Sequence, residues 1–100
     1  MVKILLVCSA GMSTSMMVKK MQTVAEKRGL EAKIWAVGDA QAEENIKNAD
    51  VLLLGPQVRF LEPKMKNIAQ GKPVSVIDMM AYGTTDGAKV LDQALALINA

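Results

Sequence analysis

Residues 2 to 15 are Val-Lys-Ile-Leu-Leu-Val-Cys-Ser-Ala-Gly-Met-Ser-Thr-Ser, and this stretch decides the fold. Its first six residues are β-branched or aliphatic apart from Lys3, which predicts a strand buried on both faces from Val2 to Val7. Small and hydroxyl-bearing residues follow Cys8, and from Ser13 the apolar residues recur at helical spacing. Strand, short loop and helix in this order are typical of the opening unit of a parallel α/β sheet.

The rest of the chain repeats the alternation of strand and helix. Gly29 ends the first helix, Asp39 caps the second, and Pro63 lies in the first turn of the third, because a deeper proline would cost about 3 kcal/mol. We expect a loop or an irregular turn at residues 56–62 and a loop through Tyr82-Gly83. The predicted elements after the first strand are a helix over 13–28, a strand over 32–37, a helix over 39–48, a strand over 50–54, a helix after Pro63, a strand over 73–77, and a helix from Asp86 or Gly87 to Ile98.

Four such alternations predict one α/β domain over residues 1–100, with a four-stranded parallel sheet and helices on both faces. We expect the strand order 2-1-3-4, as in flavodoxin-like sheets. Ligands bind such sheets at the carboxyl ends of the strands, where the winding reverses, here between strands 1 and 3. The loops at that point are Cys8 to Ser15 and Gly55-Pro56-Gln57, which makes them the candidate site.

Composition excludes several classes of function. The 100 residues carry a net charge of +2 and three aromatic residues, with no basic stripe, so nucleic-acid binding is not expected. A single cysteine forms no internal disulfide, and without a Cys/His cluster we expect no metal and no cofactor. No apolar run approaches the eighteen residues of a membrane span. We therefore expect a cytoplasmic protein.

The loop after the first strand suits a tetrahedral anion. Small side chains allow successive backbone N–H groups to converge on phosphate oxygens, and the amino end of the following helix adds partial positive charge. A lone cysteine at a strand end is also a common small buried hydrophobe, and serines are common helix caps. From these residues alone both interpretations stay open. The predicted phosphate cradle comprises Ser9, Ala10, Gly11, Met12, Ser13, Thr14 and Ser15.

Two features that the sequence lacks limit the reactions in which the Cys8 thiol can take part. The chain has no histidine, which excludes a Cys-His protease and a phosphohistidine carrier. A protein tyrosine phosphatase needs an arginine where Thr14 stands. Without that guanidinium, hydrolysis of a thiophosphate should be slow, and slow hydrolysis suits a phosphoryl carrier.

The sequence resembles the enzyme IIB component of the sugar phosphotransferase system, lactose/cellobiose (chitobiose) class, over the whole chain. The residues that carry the resemblance are Cys8-Ser-Ala-Gly-Met-Ser-Thr-Ser15, Ala49-Asp-Val-Leu-Leu-Leu-Gly-Pro-Gln-Val58, Lys72-Pro-Val-Ser-Val-Ile-Asp78, Tyr82-Gly83 and Asp86-Gly87.

The resemblance implies a parallel four-stranded sheet and phosphorylation of Cys8. The phosphoryl group would come from a phosphohistidine on a IIA partner and pass to a disaccharide held by the membrane IIC partner. The chain, expected to be a monomer, would then meet the inner face of the membrane transiently through IIC.

Three residues outside the loop are candidates to line the site. Gln57 lies across the switch point from Cys8, and its amide can donate to a phosphate oxygen without adding charge. Tyr82 follows strand 4 at the same edge of the sheet, although a packed turn explains Tyr-Gly equally well. Asp78 fits a helix or loop cap better than an acid catalyst. Two rival functions stay open, a weak phosphatase or arsenate reductase and a noncatalytic anion-binding domain.

Overall fold

The structure is a computed structural model that describes residues 1–8 and 12–99, without the side chains of residues 12–14. Its centre is a four-stranded parallel sheet in the order β2-β1-β3-β4, which confirms the predicted topology. The strands are β1 (Val2–Val7), β2 (Ala32–Val37), β3 (Val51–Leu54) and β4 (Val74–Val76).

The register aligns the carboxyl ends of β1, β2 and β3 around the candidate site. Val7, the last residue of β1, pairs with Val37 of β2 on one side and with Leu54 of β3 on the other. Each of these partners is itself the last residue of its strand. The residues that follow the three strands, Cys8 among them, therefore leave the sheet at one level.

Helices cover both faces of the sheet, as predicted. One face carries α1 and α5, which pack against each other, and the other carries α2 and α3. The helices are α1 (Met12–Lys27), α2 (Asp39–Ile46), α3 (Glu62–Ala69), α4 (Met79–Gly83) and α5 (Gly87–Ile98), and a 3-10 helix spans Pro56–Leu61.

The central strand explains why its sequence is apolar throughout. Ile4 and Leu6 point into the core beneath α1 and α5, while Leu5 and Val7 point into the core beneath α2 and α3. All four side chains are fully buried. A strand covered on both faces has no solvent-facing position to fill with polar residues, so its hydrophobic pattern is continuous rather than alternating.

Local signals at three helix ends are confirmed. Gly29 has φ +67° just after α1, and the next amide, that of Leu30, bonds back to Ala25, so the helix ends at a left-handed glycine as predicted. Pro63 lies in the first turn of α3. The last helix begins at Gly87, one of the two predicted starts, and Asp86 caps it by accepting from the amide of Lys89 at 3.1 Å.

Residues 56–61 form a 3-10 helix with a kink at Val58, which is the irregular turn rather than the loop. Two predictions about loops and caps are wrong. The loop expected through Tyr82-Gly83 is the end of α4. Asp39 is the first residue of α2 and caps nothing. The cap position falls on Gly38, and the Asp39 carboxylate instead forms an exposed ion pair with Lys64 at 3.0 Å.

Close approach of α5 to α1 depends on a glycine. A Cβ built on Gly87 would lie 2.6 Å from the backbone carbon of Lys20 and 2.8 Å from the amide nitrogen of Met21. Backbone atoms cannot yield as a flexible side chain does, so Gly87 fixes how closely the two helices pack. Within the described part of the chain, no helix is long and apolar enough to cross a membrane.

Candidate functional site

Cys8 lies at the carboxyl end of the central strand and is held by its backbone. Its amide donates to the carbonyl of Val37 at 3.2 Å, which continues the ladder between β1 and β2 by one residue. On the other side, the amide of Gly55 donates to the carbonyl of Val7 at 2.9 Å. Cys8 is only 4% exposed. The thiol-bearing residue is therefore anchored to strands on both sides at the predicted switch point.

The predicted phosphate cradle is described only in part. Ser9, Ala10 and Gly11 lie outside the described residues, and so do the side chains of residues 12–14. The backbone of α1 begins at Met12, one residue before the predicted start, and Ser15 is exposed in its first turn. A helix thus begins four residues after Cys8, as an anion-binding loop requires. The roles assigned to the cradle residues stay predictions.

The Gln57 side chain folds back toward Gly55. A Cβ built on Gly55 would lie 2.9 Å from the Oε1 atom of Gln57 and 3.5 Å from the Cβ of Cys8. The glutamine carboxamide and the cysteine side chain therefore border the same small space, with Gly55 at its floor. A role for Gln57 in binding phosphate stays a prediction.

A similar arrangement on the other side of Cys8 was not predicted. A Cβ built on Gly38 would lie 3.0 Å from Oε1 of Gln41 and 3.9 Å from the carbonyl oxygen of Cys8. Gly38 and Gln41 follow β2 as Gly55 and Gln57 follow β3. The position of a Cβ on Gly38, however, faces the backbone of Cys8 rather than its side chain. The alignment of Val7 with Val37 is the signal that places Gly38 there.

Tyr82 and Gln57 line one cleft of about 320 Å³ between the start of the 3-10 helix and α4. Pro56, Met79 and Gly83 complete its walls. Tyr82 is half-buried and packs against the core beneath α1 and α5. The cleft opens at the carboxyl edge of the sheet, because both segments that form it follow strand ends. Tyr82 is thus at the expected edge, on the same cleft as Gln57.

Asp78 is a helix cap. Its Oδ2 atom accepts from the amide of Ala81 at 2.9 Å, which satisfies a donor in the first turn of α4. Its own amide donates to the Gln93 side chain at 3.2 Å. This geometry gives the carboxylate a structural task, as the sequence suggested.

A larger hollow of about 410 Å³ lies at the opposite edge of the sheet, between the carboxyl ends of α2 and α3. Lys72 closes one side of it and donates through Nζ to the carbonyls of Ile46 at 2.8 Å and Lys47 at 3.2 Å. A lysine at a helix carboxyl end satisfies carbonyls that lack a helical partner and complements the helix dipole. Lys72 therefore stabilises the carboxyl end of α2.

Metal chemistry finds no support among the described side chains. Residues 1–8 and 15–99 contain no group of three or more His, Cys, Asp or Glu residues placed to hold an ion. The described residues at this edge of the sheet include a buried cysteine, and a glutamine and a tyrosine that line one cleft.

Comparison with known proteins identifies the family. The family described as "PTS system, Lactose/Cellobiose specific IIB subunit" matches residues 3–93. The chain is 51% identical over 100 residues to the oligo-beta-mannoside-specific EIIB component of Bacillus subtilis (strain 168), with 98% of this chain and 97% of the relative covered. It is 42% identical to the galactose-specific EIIB component of Lactococcus lactis subsp. cremoris (strain MG1363), with 96% and 95% covered.

A solved structure agrees with these matches. The solution structure of the cellobiose-specific IIB component of Borrelia burgdorferi has a TM-score of 0.83 and 39% identity, covering 98% of this chain and 92% of that one. The resemblance read from the sequence is therefore confirmed. The chain belongs to the lactose/cellobiose-specific IIB subunits of the sugar phosphotransferase system, phosphotransferase components that carry a phosphoryl group during sugar uptake.

Proposed function

We propose that Cys8 is the residue that carries the phosphoryl group. The observation that supports this most strongly is its position: Cys8 stands at the carboxyl end of β1, its amide is bonded to Val37 of β2, and its side chain and the Gln57 carboxamide both adjoin Gly55. Ligands of parallel α/β sheets bind at this edge. Cys8 is also the only cysteine of the chain, and the chain has no histidine, so no other side chain offers a comparable nucleophile for phosphohistidine.

The first step is transfer from a IIA partner. The sulfur of Cys8, as thiolate, attacks the phosphorus of a phosphohistidine, so that an S–P bond forms while the N–P bond breaks and imidazole leaves with the bonding electron pair. The backbone amides of residues 9–15 hold the charge on the phosphoryl oxygens. Because the two proteins share the transition state, positioning and electrostatics supply most of the rate, as in other phosphoryl transfers.

The second step reverses the role of the sulfur. A hydroxyl of the sugar bound by the membrane IIC partner attacks the phosphorus and loses its proton to solvent, the S–P bond breaks, and Cys8 leaves as thiolate. The protein acts as a cytoplasmic monomer that meets the membrane only through IIC. The oligo-beta-mannoside, galactose and cellobiose named for its relatives are all sugars, and selection among them belongs to IIC.

The surface around the cleft of Gln57 and Tyr82 suits partners that bind transiently. Three large apolar side chains on the segments that form it are mostly exposed: Phe60 at 73%, Met79 at 65% and Met80 at 76%. Apolar side chains at a rim supply contact area, and methionine adapts to more than one partner. We infer that IIA and IIC dock in turn over this edge.

The experiment that tests this proposal is a reconstituted transfer. The protein is incubated with phosphoenolpyruvate, the general phosphotransferase proteins and a IIA protein of the same class, and the intact masses are measured. We expect one phosphoryl group on the wild type and none on Cys8→Ser. An unmodified wild type beside phosphorylated IIA, or a Cys8→Ser variant modified to the same extent, contradicts the proposal. Rapid release of inorganic phosphate would instead favour the phosphatase alternative.

A further inference from the structure

Gly55 is not required by the backbone at its position. Its φ of −60° and ψ of 144° lie in the extended region that any residue adopts. The residue before a proline prefers this same region, and Pro56 follows. An alanine therefore fits the local conformation, and the hydrogen bond from the Gly55 amide to Val7 does not depend on the side chain.

The space at Gly55 cannot hold a side chain. A Cβ at Gly55 would lie 2.9 Å from Oε1 of Gln57, closer than ordinary van der Waals contact allows. Its distances to the Cβ of Cys8, 3.5 Å, and to the carbonyl oxygen of Val7, 3.7 Å, are ordinary contacts. The cysteine and the strand would therefore stay in place, and the exposed, flexible glutamine would have to move.

We propose that Gly55 is a positioning residue: the side chain that it lacks keeps open the space in which the Gln57 carboxamide lies beside Cys8. This inference rests on the proposed phosphorylation of Cys8. A carboxamide is neutral and donates through Nε2, so it stabilises an anionic phosphoryl group without adding a charge that would tighten its hold. Gly55 acts only through Gln57. Its substitution displaces the Gln57 carboxamide from its place near Cys8, although the glutamine itself is still present.

The chain supplies its own matched control. Gly38 and Gln41 repeat the arrangement after β2, with Oε1 at 3.0 Å from the position of a Cβ. Gly38 also has an ordinary extended backbone, with φ −80° and ψ 171°. A Cβ at Gly38 would lie 3.9 Å from the carbonyl oxygen of Cys8 and not next to the Cys8 side chain. Gly38→Ala thus creates the same crowding of a glutamine on the side away from the thiol.

The test is a double-mutant cycle on the rate of phosphoryl transfer from phosphorylated IIA to the full chain. The variants are Gly55→Ala, Gln57→Ala and the double variant, with Gly38→Ala as control. We expect each single substitution to slow transfer about tenfold or more, the loss of one hydrogen bond to a charged group. The double variant should be no slower than the slower single variant, because both remove the same contact. Gly38→Ala should stay within about twofold of wild type.

Each other outcome overturns the inference. Wild-type rates for Gly55→Ala, a double variant as slow as the product of the two single effects, or an equal loss in Gly38→Ala would each show that Gly55 does not act through Gln57. A lowered melting temperature for Gly55→Ala that accounts for the lost rate would assign it a structural role. If the wild type itself takes no phosphoryl group, the proposed function fails instead, and the two failures are thereby separated.

Discussion

The amide of Gly55 donates a hydrogen bond to the carbonyl of Val7 over 2.9 Å. Because the last paired residues of the two strands are Val7 and Leu54, this bond extends the ladder one residue past the end of β3. The turn that carries Gln57 is thus fixed to the residue before Cys8. The paired strands therefore set where the backbone of this turn lies relative to the backbone of Cys8.

Tyr82→Phe tests whether the phenol takes part in transfer. The Tyr82 ring is half-buried against the core and lines the cleft together with Gln57. Phenylalanine has the same ring, so the substitution keeps the contacts of the ring with the core. If the hydroxyl donates to the phosphoryl group, transfer from phosphorylated IIA should slow about two- to tenfold, as for the loss of one neutral hydrogen bond. Stopped-flow or quenched-flow rates give the answer, and a variant as fast as the wild type would remove Tyr82 from the site.

Asp78 is predicted to cap α4 and to take no part in proton transfer. Asp78→Asn keeps an oxygen for the amide of Ala81 and should retain both stability and transfer. Asp78→Ala loses the cap and should lower the free energy of unfolding by about 1 kcal/mol, with transfer retained at temperatures where it is folded. Urea unfolding and transfer rates are measured on both variants. A well-folded Asp78→Asn variant that no longer transfers would make the carboxylate an acid or a ligand.

Gly87→Ala tests the close approach of α5 to α1. The new Cβ would meet the backbone of Lys20 at 2.6 Å, so one helix must shift, and we expect a loss of about 1–3 kcal/mol of unfolding free energy. Gly83→Ala is the control, since a Cβ there has no atom within 4 Å and alanine has the higher helix propensity. Denaturant unfolding compares the two. Equal stability of Gly87→Ala and wild type would show that the helices yield at no cost.

The sequence predicts the sheet and the long helices because their burial pattern is local. The runs Val2–Val7 and Val51–Leu54 are apolar at nearly every position, since helices cover them on both faces. Right-handed crossovers limit the strand orders that a chain with these elements can adopt. Gln57 was predicted beside Cys8 by the same topological rule.

The short elements could not be predicted from periodicity. The helix at Met79–Gly83 has five residues and the 3-10 helix at Pro56–Leu61 has six, too few turns to show an amphipathic repeat. The ion pair of Asp39 with Lys64 joins residues far apart in sequence, so no local signal separates it from a cap. Gly38 was not singled out for a similar reason, because only the strand register places it next to the carbonyl of Cys8.

The central claim is that the phosphoryl group resides on Cys8, and the most direct measurement is its location within the modified protein. Fragment mass spectrometry of the chain, phosphorylated by IIA and kept intact at the S–P bond, is predicted to place the group on Cys8. Tyr82 and the serine and threonine residues at positions 9, 13, 14 and 15 are other candidate acceptors in the sequence. A phosphoryl group on any of these, with Cys8 unmodified, would contradict the account.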